Sequence, residues 1–130
     1  MVLDTSAIVA ILTQEPEGDR LLEIVESTLF CRISAVTLYE CKVVLGHRGG
    51  EPMLQRLAAF VEQADGYIEP FDERQAELAS AAYHRFGRGS GHPARLNFGD
   101  CAAYALATSL GLPLLYKGED FSKTDVSAAI

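Results

Sequence analysis

Basic residues are scarce in this sequence: eleven Lys and Arg stand against eighteen Asp and Glu, for a formal net charge of −7. That deficit excludes a protein that holds nucleic acid by broad attraction of a basic surface to phosphate. Cysteine is also sparse. Cys31, Cys41 and Cys101 are odd in number and lack CxxC spacing, so neither a disulfide framework nor a zinc site is expected. Long apolar runs are missing too. Stretches such as Ala7 to Leu12 fall far short of the roughly 18 to 20 residues of a membrane-spanning helix. The opening Met1-Val2-Leu3-Asp4 has no basic residue, and Glu15, Glu17 and Asp19 soon follow. A secretory leader is therefore not expected, and a cytoplasmic protein is. There is no internal repeat and no low-complexity segment.

What is present is a chain of 130 residues, 48% of them hydrophobic, enough for one core and too short for two. A single domain over residues 1–130 is expected. Met1 to Asp4 reads as a strand running directly into a helix through Ala7 to Leu12. Pro16 to Ser27 places Leu21, Leu22 and Val25 on one helical face. Leu29 to Ile33 reads as a second strand, followed by a helix from Ser34 that ends near Gly49-Gly50. Pro52 to Ala64 is another helix, Tyr67 to Phe71 a brief strand, and Asp72 caps a long helix carrying Ala76, Ala79, Tyr83 and Phe86. Gly87 to Gly91 forms a flexible loop, Cys101 to Leu110 a small-residue helix closed by Gly111, and Pro113 to Tyr116 a fourth strand. A short edge strand around Val126 is expected in the tail. Short apolar strands alternating with amphipathic helices define an α/β fold, with a parallel sheet of four to five strands covered on both faces. In such sheets the site lies at the carboxyl ends of the strands, where strand order reverses.

The acids fall there. Asp4 ends the first strand, Glu40 lies in the helix after the second, Asp100 starts a helix, and Glu119 and Asp120 follow the last clear strand. Carboxylates packed into one cleft repel one another, and a hard divalent cation removes that cost. Such an ion, holding water and a substrate phosphate, suits phosphodiester hydrolysis. Each acid has a plainer role available. Asp4 can cap the helix that follows, Thr37 and Glu40 match a capping box, Asp100 suits a helix start, and Asp120 suits a turn. Independent caps need not all fall at one end of a sheet.

Four blocks carry a resemblance: Met1-Val2-Leu3-Asp4-Thr5-Ser6-Ala7, Ser34 to Glu40, Asn97-Phe98-Gly99-Asp100-Cys101, and Leu114-Leu115-Tyr116-Lys117-Gly118-Glu119-Asp120-Phe121. In their order and spacing they resemble the PIN-domain nucleases, specifically VapC-type toxins of toxin–antitoxin modules. The resemblance implies a three-layer α/β/α sandwich, dependence on Mg²⁺ or Mn²⁺, and endonucleolytic cleavage of RNA. It implies that Asp4, Glu40 and Asp100 are the core acids and Asp120 the fourth, with Glu119 the competitor. Some relatives place an acid at the position of Gly118. It also implies supporting roles for Thr5, Ser6 and Asn97, a homodimer, and a VapB-type antitoxin that inserts a segment, often bearing arginine, into the acidic groove. The helices at Pro16 to Ser27 and Pro52 to Ala64 are candidates for the dimer surface.

Between Glu77 and Asp100 there is no acid, while Arg85, Arg88 and Arg95 lie in that stretch with His84 and His92. Gly87 to Pro93 lacks the features of a nucleotide-binding P-loop. The stretch reads either as a solvated connector or as an RNA-binding rim formed by Arg85, Arg88 and Arg95. Two other classes remain: a phosphoacceptor domain using Lys117, although Val2-Leu3-Asp4-Thr5 lacks the adjacent acids that fold needs, and a non-catalytic binding module.

Overall fold

The computed structural model describes residues 1–130. Val2–Leu3 (β1), Cys31–Ser34 (β2), Gly66–Glu69 (β3) and Leu114–Leu115 (β4) form one parallel sheet in the order β3-β2-β1-β4. Alternation decides which residue faces which layer. Leu3, Cys31, Ile33 and Leu115 face a core completed by helices Thr5–Leu12 (α1), Gly18–Glu26 (α2) and Ala35–Gln63 (α3). Val2 and Leu114 face the opposite core, built with helices Glu73–Phe86 (α4) and Phe98–Leu110 (α5). The expected three-layer α/β/α arrangement is thus the observed one, and no helix is long and apolar enough to cross a membrane.

The chain places β1, β2 and β3 side by side in one direction, then returns to lay β4 on the free edge of β1. Strand order therefore reverses between β1 and β4. Helix α1 starts at this crevice, and its residues Ala7 to Leu12 are all buried, which explains why that segment is apolar on every side.

Three local readings need correction. The helix after β2 starts at Ala35, capped by Ser34, whose hydroxyl accepts from Val36 N at 3.2 Å. Thr37 therefore sits inside the first turn, fully buried with its hydroxyl unpartnered, and the Thr37–Glu40 capping box does not form. The expected edge strand at Val126 does not form: the tail makes only a single parallel bridge, Leu114 to Ala128, through Leu114 N to Ser127 O (2.8 Å) and Ala129 N to Leu114 O (2.9 Å). The loop after α4 is pinned at its base by Arg88 N to Leu96 O (3.0 Å) and Leu96 N to Phe86 O (2.9 Å). The break after Gly49-Gly50 is present as read: Gly50, at φ 64° and ψ −154°, interrupts α3 just ahead of Pro52.

Candidate active site

Asp4 occupies the reversal point itself. Its backbone N–H donates to Leu115 O (3.0 Å), which fixes it between the ends of β1 and β4, and only 2% of the residue is exposed. One carboxylate oxygen, Oδ2, accepts from Ser6 N (3.0 Å) and Ser6 Oγ (2.6 Å), so Asp4 does cap α1. The Ser6 hydroxyl also accepts from Lys117 N (2.9 Å), tying the segment after β4 to the start of α1. Oδ1 of Asp4 is buried with no partner. A cap explains one oxygen and leaves the other unexplained, and an unpartnered buried acceptor carries a real cost.

Glu40, released from capping, reaches the same place from α3. Its Oε1 accepts from the Thr5 hydroxyl at 2.5 Å. Its carboxylate lies directly against Gly99: a Cβ there would stand 2.5 and 2.6 Å from the two oxygens. Glycine at 99 is thus a matter of close approach, and it leaves Glu40 beside the residue preceding Asp100.

Asp100 is set by a reciprocal cap at the start of α5. Asp100 N donates to Asn97 Oδ1 (2.8 Å), while Asn97 N donates to Asp100 Oδ2 (2.9 Å). Its other oxygen is free of any such bond. The spacing of Asn97 and Asp100 is a capping signature in its own right, one the sequence reading passed over in favour of the acid alone.

The charges of these residues act on one another. Burial pushes Asp4 up to about 7; the bonds from Ser6 oppose the rise, and the charges of Asp100 and Glu40 add to it. Burial likewise pushes Asp100 up to about 6, opposed by Asn97 and Arg88 and reinforced by Glu40 and Asp120. Asp120 therefore lies within the field of the cluster. The charge of Glu119 acts on Tyr116. Asp120 is exposed, at the start of a short 3₁₀ turn, Phe121–Lys123, anchored by the buried Phe121. The Tyr104 hydroxyl donates to Asp125 Oδ1 (2.5 Å) and fastens the same tail.

The three arginines do not behave as one rim. Only Arg88 is felt at Asp100. Arg85 is paired with Asp125 at 3.1 Å and lies over the Phe86 ring, so it serves the tail; Arg95 is exposed, with no ion pair. Lys117 gives its ammonium to Glu15 and Glu17 rather than to Asp4, which removes the arrangement a phosphoacceptor domain requires. His92 is half-buried, with its ring against Phe86 at 4.9 Å.

No three acidic, His or Cys side chains converge at the spacing of ligands around one ion; each core acid is turned instead onto a protein donor. The donor set still fits a hard divalent cation. It offers carboxylate oxygen only, one such oxygen is buried and unpartnered, and burial, reinforced by the charges of neighbouring acids, holds two of the acids above their ordinary range. The nearby thiols do not compete: burial pushes Cys41 and Cys101 up to about 12, so neither is a thiolate at neutral pH.

A family model described as PIN domain matches residues 1–127, and the chain belongs to the PIN-domain family. Within that family it stands with the VapC ribonucleases. It is 46% identical over 130 residues to ribonuclease VapC28 of Mycobacterium tuberculosis, covering 100% of this chain and 98% of that protein. It is 44% identical over 128 residues to ribonuclease VapC of Mycolicibacterium smegmatis, covering 98% of each. Among solved structures it is similar to VapC20 of M. tuberculosis, described as a Sarcin-Ricin loop cleaving toxin, with a TM-score of 0.76 and 19% identity over 96% of this chain and 95% of that one. A toxin–antitoxin complex from Klebsiella pneumoniae gives a TM-score of 0.68 and 20% identity, covering 93% of this chain and 89% of that one. At those identities the structural likeness is one of fold.

Proposed function

We propose that this chain is a divalent-metal-dependent endoribonuclease, the toxin of a toxin–antitoxin pair, acting as one nuclease domain over residues 1–130. The observation that carries the reading is the unpartnered, buried Oδ1 of Asp4, set at the strand-order reversal in the field of Glu40 and Asp100. Asp4, Glu40, Asp100 and Asp120 would hold Mg²⁺ or Mn²⁺, which when bound supplies an activated water and neutralises charge on the phosphate. The chain's own residues do the positioning. Ser6 orients Asp4, Thr5 and Gly99 hold Glu40 in place, and Asn97 orients Asp100. Arg88 offers a cation beside the acids for a substrate phosphate.

Asp4→Asn and Asp100→Asn are each expected to lower metal-dependent RNA cleavage by at least about a hundredfold while leaving circular dichroism unchanged. Cleavage that survived both changes would place the site elsewhere.

The toxin role rests on whole-length similarity to VapC ribonucleases. Its partner is a VapB-type antitoxin, whose arginine-bearing segment would meet a carboxylate groove already short of positive charge. The protein acts as a homodimer. Expression alone is expected to arrest growth, and co-expression of the small gene next to it to restore growth; unimpaired growth with soluble protein present counts against the role.

A further inference from the structure

We propose that His92 is a positioning residue: through its Nδ1 it latches the loop joining α4 to α5, so that Arg88 presents its guanidinium to the phosphate being cleaved. The proposal rests on the ribonuclease reading and adds to it the side chains that set one cation beside the acids. Gly89 and Gly91 both stand at φ 85° and are exposed, and such residues lose the most freedom when a loop is ordered. Two side chains supply the bonds that hold them. The Ser90 hydroxyl donates to Gly87 O (2.7 Å) and accepts from His92 N (3.2 Å). His92 Nδ1 in turn accepts from Ala94 N (3.1 Å), with its ring edge-on to Phe86. Ala94 and Leu96 are fully buried, so the latch ties the exposed glycines to residues seated in the core.

What the latch carries is Arg88. Gly87 and Leu96 pair as a parallel bridge, so Arg88 leaves it alongside Asn97, the residue bonded reciprocally to Asp100. The bridge runs hard against α4: a Cβ at Gly87 would stand 2.3 Å from Tyr83 O, which leaves glycine as the residue that fits. Arg88 itself is exposed and makes no ion pair, although its charge reaches Asp100. Arg85, two residues beyond the end of this bridge, is already held by Asp125. A cation kept free beside carboxylates is available to an anion that arrives from outside, and a planar guanidinium matches two oxygens of one phosphate. Donors aimed at charge that develops during reaction are worth most in the transition state, so the contact acts on the chemical step more than on binding.

The test is a mutant cycle in the whole protein, with Mg²⁺ and a short single-stranded RNA. Arg88→Ala should lower kcat about thirtyfold and change KM little, with Arg88→Lys recovering only part of the loss. His92→Phe keeps a ring against Phe86 and removes the acceptor, whereas His92→Asn removes the ring and keeps an acceptor for Ala94 N. His92→Phe should cost about tenfold in kcat and His92→Asn about twofold or less. In an Arg88→Ala background neither should cost anything further, because His92 acts through Arg88 alone. Amide hydrogen exchange from Arg88 to Ala94 should quicken in His92→Phe and not in His92→Asn. Additive losses from His92→Phe and Arg88→Ala would overturn the proposal. So would a His92→Asn protein as poor as His92→Phe, or an Arg88→Ala protein that cleaves at the parent rate. Each of these failures leaves the dependence of cleavage on Asp4 and Asp100 intact. The ribonuclease site fails separately, if cleavage survives the loss of both those acids.

Discussion

At the scale of single residues, the site shows carboxylates divided between two duties. Asp4 spends one oxygen on Ser6 and keeps the other unpartnered; Asp100 spends one on Asn97. The division has a measurable stability signature. With its carboxyl raised from 3.8 to about 7, Asp4 favours the fold most when protonated. Its contribution is full below about pH 4 and is lost as pH rises through 7, so the metal-free protein should weaken across that window. Asp4→Asn is expected to stabilise the metal-free protein at pH 7.5 by about 2 kcal/mol and to change little at pH 4, as read by thermal unfolding in chelator. Mg²⁺ should then raise the unfolding midpoint of the parent more than that of the variant. Thr5→Val, which strips Glu40 of its donor, should lower cleavage by about 10- to 100-fold, with Thr5→Ser recovering most of it. The positions of Asp4 and Asp100 were legible in sequence because a strand end and a helix start are local events. The setting of Glu40 was obscured by a capping pattern that Ser34 pre-empts, and the close approach at Gly99 by the 59 positions separating it from the side chain it accommodates.

At the scale of elements, each acid is delivered by a different piece of secondary structure, and the least secured is the tail bearing Asp120. That tail is held by the buried Phe121, packed on Tyr116 at 5.1 Å between ring centres, and by Asp125 between Tyr104 and Arg85. The exposed Arg85 pair contributes little, but Asp125 also accepts from the hydroxyl of the buried Tyr104. Asp125→Ala is expected to cost about 1 to 2 kcal/mol of stability and to reduce cleavage several-fold. Hydrogen exchange should quicken at residues around Asp120; unchanged exchange with reduced cleavage would mean that Asp125 acts by another route. Helical periodicity, the break at Gly49-Gly50 and the Asp72 cap are written in neighbouring residues and could be read directly. The pairing of Arg85 with Asp125 spans forty positions, and nothing near Arg85 announces it. Read from its own surroundings, Arg85 passes for an RNA contact.

At the scale of the whole molecule, a net charge of −7 surrounds one short basic segment. RNA then meets a largely repulsive surface with few places to lodge its phosphates, and binding should release few counterions. The slope of log affinity against log salt is expected to be shallow, about −2 or less steep, corresponding to two or three phosphate contacts. A slope near −5 in a salt titration would point to a broader basic surface than this chain possesses.

Because Val2 pairs with Leu114 and Ser6 bonds to Lys117, the crevice joins two ends of the chain that leave the ribosome far apart in time. Asp4 emerges early, yet β4 and Asp120 must still be made before its setting is complete. A growing chain therefore carries the first acid through nearly its entire synthesis without a working site. Prematurely terminated copies lacking β4 should show no RNA cleavage when purified and assayed beside the whole chain.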